Sequence, residues 1–248
     1  MNRPTRPWHR DQPHEPGVPD SAHPGPRRPG WSEIAAAAVA YVALVAVGTA
    51  VILQVTTVGS VLGGLGFAAL SALAGLGAFA AAFAIRIRDW SAFGVRRVSW
   101  RWLLLGAGLG VAAWLLGRVL VMGYIALTGD TGDPQSVYDA AAGGGTAVVT
   151  SYLLLIAVAT PVGEELAFRG VLTNALNRYG PWVGVGGSTV VFTLAHGISV
   201  VMPVAFVVGL IAALLVRRTG SVWPGVLVHA VNNALGNLVP MLLSSITG

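Results

Sequence analysis

The sequence predicts an all-helical, multi-pass transmembrane bundle of about seven spans, with six to eight as the range. Hydrophobic residues fill 54% of its 248 positions and charged residues only 10%, against about 25% charged in an ordinary soluble domain. Apolar stretches recur at about the 20-residue length that a helix needs to cross the hydrocarbon core. The 15 basic residues, every one an arginine, gather mostly beside those stretches, as positive-inside topology requires.

Residues 1–30 carry Pro, Arg and His with almost no aliphatic side chain, so they lack the surface to form a core. They are expected to be a disordered, cytoplasmic, Arg/Pro-rich tail. With thirty polar residues ahead of the first apolar run, this segment is not expected to be a signal peptide. His9, His14 and His23 are irregularly spaced among prolines and read as solvated residues rather than metal ligands.

Three spans follow, at about residues 33–56, 60–85 and 102–127, and with their loops they make a unit over 31–144. Gly63, Gly64, Gly66, Gly75 and Gly77 crowd the second span, which lets neighbouring helices approach closely. Four further spans, at about 146–163, 182–198, 200–216 and 222–246, make a second unit over 145–248. Arg86, Arg88, Arg96, Arg97 and Arg101 place the loop after span two on the cytoplasmic side, together with the N-terminus and the turns near Arg178 and Arg217. The loop 128–144 carries Asp130, Asp133 and Asp139 and no arginine, and falls on the opposite side. The expected location is the plasma membrane, as a multi-pass protein. The net charge of +5 does not indicate nucleic acid, because the arginines are neither interleaved with aromatics nor set on one face.

Function concentrates in the second unit. Beyond the first forty residues, the only glutamates are Glu164 and Glu165 and the only histidines His196 and His229. An ionisable side chain at membrane depth costs about 2.5 kcal/mol or more, so four together imply a use. Glu165 and Arg169 stand four apart, on one helical face in the favourable order, which leaves Glu164 unpaired. Phe192 and His196 repeat that spacing, as do His229 and Asn233. Glu164 lies sixteen residues before Gly180 and His196 sixteen after it; an antiparallel hairpin about that glycine puts both at one depth. His229 and Asn233 reach a similar level from the Arg217–Arg218 turn. Asn232 points another way and reads as packing or a backbone bond.

Hydrolysis of an amide needs a base for water and donors for the developing oxyanion. A carboxylate, two imidazoles and a carboxamide supply both. Two histidines and a glutamate (Glu164, His196, His229) are equally the three-ligand set of a catalytic zinc, and both chemistries fit the residues. The zero cysteine count removes thiolate chemistry, and an H-E-x-x-H zinc motif is absent.

With Glu164-Glu165-x-x-x-Arg169, Phe192-x-x-x-His196 and His229-x-x-x-Asn233 in order and at these spacings, the chain resembles the CPBP family of intramembrane endopeptidases. That family includes the type 2 CAAX prenyl proteases and bacterial bacteriocin-processing or immunity proteins. The resemblance covers about residues 146–245. It implies that Glu164 and His196 activate water, that His229 and Asn233 bind the oxyanion, and that Glu165, Arg169 and Phe192 support the site; the family has been described as both glutamate-type and metal-dependent. The expected function is cleavage of a membrane-associated peptide or protein near the cytoplasmic side. The rival reading is a non-catalytic immunity factor or transporter that binds a peptide or cation with the same residues. The Arg-only, Ala/Gly/Val-rich composition points to a GC-rich bacterial source, which would lack prenylated CAAX substrates.

Overall fold

The computed structural model describes residues 28–247. The expected disordered tail falls mostly on residues 1–27, which lie outside the described residues. Among the described residues every regular element is helical. Six helices among these residues are long and apolar enough to cross a membrane, and a seventh, of 15 residues, is apolar but shorter. The chain is a multi-pass membrane protein.

Helix α1 (Trp31–Val55) opens with its Glu33 side chain reaching back over the first turn, where Oε2 accepts the Gly30 N–H at 2.7 Å. Glu33 is fully buried and takes two bonds from Arg86, at 3.0 Å and 2.9 Å. Arg86 caps the end of α2 (Val61–Ile85), so this pair ties the start of α1 to the end of α2. Ser60 caps the start of α2 by accepting the Gly63 N–H. Most of α1 otherwise faces outward, as suits lipid contact.

Helix α2 owes its central place to small side chains. A Cβ on Gly75 would stand 2.5 Å from the Gly163 carbonyl carbon, and one on Gly163 would stand 2.8 Å from Ala72 O. The two backbones therefore touch, which is possible only where both residues are glycine. Helix α3 (Trp100–Thr128) ends at Gly129, whose φ of 70° is left-handed. It packs on the last helix through Gly106 and Gly110, whose added Cβ atoms would meet Pro224 O and Val228 O at 2.5 Å and 2.7 Å.

Part of the loop after α3 leaves the surface. Short helices Pro134–Tyr138 and Asp139–Ala142 fold back onto α2, with Ala141 fully buried against Gly64. Asp130 and Asp133 serve there as turn residues, accepting the Gly132 and Gln135 N–H groups.

The fourth helix, α4, runs unbroken over Thr146–Tyr179, well past the span end at 163 that hydropathy suggested. Its second half is polar in places yet buried by protein, including Glu165, Arg169 and Thr173. Two stretches within it, Leu155–Ala159 and Glu165–Thr173, have π-helical register. Helix α5 (Pro181–Ala195) follows a turn at Gly180. Helices α6 (Met202–Thr219) and α7 (Trp223–Thr247) complete the bundle. At 1.5 Å per residue α5 is only about 22 Å long, shorter than a full crossing, and it presents His196 from its C-terminal end.

Candidate active site

Glu164 and Glu165 sit on α4 where the α register passes into the second π stretch. Adjacent residues on a helix diverge by about 100°, so the two carboxylates serve different neighbours. Glu165 Oε1 is 3.0 Å from Arg169 Nη1 and 3.3 Å from His229 Nδ1. Glu164 Oε2 is 3.8 Å from His196 Nε2 and 3.8 Å from His229 Nε2. Among the described residues it has no hydrogen-bond partner, although Glu164 is buried. Three helices thus bring Glu164, His196 and His229 together, and His229 touches both glutamates.

Ring orientation is set from behind. His196 Nδ1 lies 2.8 Å from Phe192 O; a carbonyl only accepts, so Nδ1 holds the proton and Nε2 faces Glu164. Phe192 is buried at the hub, its ring 4.1 Å from the Arg169 guanidinium carbon, 4.6 Å from the His196 ring and 5.8 Å from the His229 ring. The Arg169 charge is fully enclosed and is balanced by Glu165 and by the face of Phe192. A Cβ on Gly225 would stand 2.8 Å from Glu165 Oε2, and one on Gly209 3.3 Å from Arg169 Nη2, so α6 and α7 close over this pair.

Asn233 lies one turn beyond His229 on α7. Its Nδ2 donates to Ile156 O at 3.0 Å and its Oδ1 accepts from Asn232 Nδ2 at 3.2 Å. Exposure differs across the site: the His196 side chain is 22% accessible, against 6% for Glu164 and 5% for His229. Access is therefore from the His196 side.

Residues 146–235 match the family model of Rce1-like type II CAAX prenyl endopeptidases. They form an Rce1-like domain. No curated protein and no solved structure matches the chain. The Rce1-like domain comprises α4, α5, α6 and the first half of α7, and it supports a CAAX-protease-type hydrolase embedded in the membrane.

The donor types in the Rce1-like domain suit zinc, but their placement is wide. Two donors bound tetrahedrally at about 2.1 Å stand about 3.4 Å apart. Both Glu164 to histidine separations are 3.8 Å, and among the described residues no three His, Cys, Asp or Glu side chains are set to hold a metal ion. In this arrangement Glu164, His196 and His229 do not close around one ion.

Two tyrosines from outside the Rce1-like domain adjoin its site. Tyr138, carried inward by the folded-back loop, has its hydroxyl pushed up to about 12, by burial first and then by the charge of Glu164. Tyr41 of α1 packs edge-on against Phe168 at 6.0 Å. It lines an apolar cleft of about 190 Å³ between α1, α4 and α5 that extends to Ala195, beside His196. Neither tyrosine belongs to a spaced motif. Nothing in the sequence marks Tyr138, because its loop reads as a solvent-facing turn.

Proposed function

We propose that this protein is an intramembrane endopeptidase that cleaves a membrane-associated peptide or protein near the cytoplasmic face of the plasma membrane, with its N-terminus cytoplasmic. The observation that carries the reading is the unpartnered Glu164 Oε2, held 3.8 Å from two imidazole Nε2 atoms. That gap is too long for a direct hydrogen bond and right for a water that touches all three groups.

In the proposed reaction Glu164, aided by His196, takes a proton from the water as its oxygen attacks the scissile carbonyl carbon. The oxyanion that forms accepts from His229 Nε2 and from an Asn233 N–H. Glu165, facing His229 Nδ1, supports the ring while it carries both protons. The proton held by Glu164 then passes to the leaving nitrogen, and the carbon–nitrogen bond breaks. Apolar substrate segments would lie in the cleft lined by Tyr41 and Phe168. The arginine-rich ends of the helices support the proposed orientation.

The test is cleavage of a peptide library by the purified protein in detergent, with wild type compared with Glu164→Gln, with and without a chelator. Cleavage that is lost in the variant and survives the chelator is the expected result. Sensitivity to the chelator would move the water onto a zinc ion. A folded wild type that cleaves nothing would sink the proposal and favour a binding protein.

A further inference from the structure

In π register each N–H bonds the carbonyl five residues back. Thr160 does so, its N–H going to Leu155 O. The next carbonyl, Ile156 O, would take its bond from residue 161, which is a proline and has no N–H. A carbonyl left open inside a membrane bundle has to find another donor, and the donor is Asn233 Nδ2 at 3.0 Å. The rest of this asparagine is held as well. Asn233 Oδ1 accepts from Asn232 Nδ2, its main-chain oxygen accepts from Asn237 Nδ2 at 2.8 Å, and Asn237 Oδ1 accepts from the Tyr152 hydroxyl. A carboxamide has two N–H donors and one oxygen. With the oxygen and one N–H committed, a single N–H stays available.

We propose that Pro161 is a positioning residue: by withholding a backbone N–H it reserves the Ile156 carbonyl for Asn233 and so fixes the carboxamide that meets the substrate. The catalytic meaning rests on the endopeptidase reading; the substitution of a side-chain donor for a backbone donor does not. Pro161→Ala restores a donor opposite Ile156 O, in competition with Asn233.

The experiment is a melting cycle in detergent on wild type, Pro161→Ala, Asn233→Ala and the double variant. Asn233→Ala is expected to lower Tm by about 5 °C in the wild-type background, because a buried carbonyl loses its donor. In the Pro161→Ala background it should lower Tm far less. Equal losses in both backgrounds would overturn the donor substitution. On a peptide that wild type cleaves, Pro161→Ala should reduce kcat about tenfold with KM unchanged, because an oxyanion donor is misaligned rather than deleted. An unchanged kcat would overturn the positioning role. If Pro161→Ala does not fold, Asn232→Ala frees Asn233 Oδ1 without altering the backbone, and the same loss of kcat at constant KM is expected; an unchanged kcat again overturns the role. If wild type cleaves no peptide, the endopeptidase reading and the positioning role fall together, while the melting cycle still decides the donor substitution.

Discussion

His229 Nδ1 lies 3.3 Å from Glu165 Oε1, the same oxygen that meets Arg169 Nη1 at 3.0 Å. Glu165 is thus shared between a fully buried guanidinium and the ring that faces Glu164. The two adjacent glutamates divide their work: Glu165 balances buried charge and orients an imidazole, while Glu164 is left with an oxygen that accepts no hydrogen bond among the described residues.

The division predicts opposite phenotypes for two similar substitutions. Glu165→Ala strands the Arg169 charge inside the bundle, which costs about 3–5 kcal/mol when one partner of a buried pair is removed; the variant should melt well below wild type or fail to purify as a monodisperse protein. Glu164→Gln removes no hydrogen bond, so it should melt within a few degrees of wild type and lose cleavage. Thermal melts and a cleavage assay run on both variants distinguish these outcomes. A stable, active Glu165→Ala would refute the assignment.

Phe192 supplies a second test. Its face is 4.1 Å from the Arg169 guanidinium carbon, and a buried cation–π contact of this kind contributes about 2 kcal/mol. Phe192→Leu keeps most of the apolar volume and loses the π face, so Tm should fall by several degrees. The activity should fall further than stability requires, because the His196 and His229 rings both lean on this side chain. Phe192→Tyr keeps the face and should be the milder variant. Equal activity in the Leu and Tyr variants would argue against the aromatic role.

Much of this arrangement was legible in the sequence because membrane burial makes polar residues informative. With so few ionisable groups in the apolar second unit, the i, i+4 spacings named Glu165 with Arg169 and Phe192 with His196. The equal distances of Glu164 and His196 from Gly180 then implied that those helices meet. The two π stretches were not legible, because periodicity over five to nine residues does not separate 3.6 from about 4.4 residues per turn. That is why the dual contact of Glu165 and the bond from Asn233 to Ile156 O emerge only from the structure. The inward fold of 134–142 was hidden for another reason: Asp133 and Pro134 give an ordinary turn signal, and the alanine that seats the loop against Gly64 carries no pattern of its own.

The contact between Gly75 and Gly163 gives the last prediction. A Cβ at Gly75 would stand 2.5 Å from the Gly163 carbonyl carbon and 2.7 Å from the Glu164 nitrogen, and backbone atoms cannot yield as a flexible side chain can. Gly75→Ala must therefore push α4 away from α2, and the atoms displaced first belong to Glu164. A shift of about 1 Å in a catalytic group can reduce rate on the order of 100-fold, whereas overpacking of this size costs about 1–3 kcal/mol of stability. The expected variant is folded, with Tm lowered by several degrees and kcat lowered by about two orders of magnitude. Gly108→Ala on α3 is the control, since an added Cβ there meets nothing within 4 Å; it should match wild type in both respects. If Gly75→Ala kept wild-type kcat, α4 would have room to move without carrying Glu164 from its place, and the close approach of α2 would be packing alone.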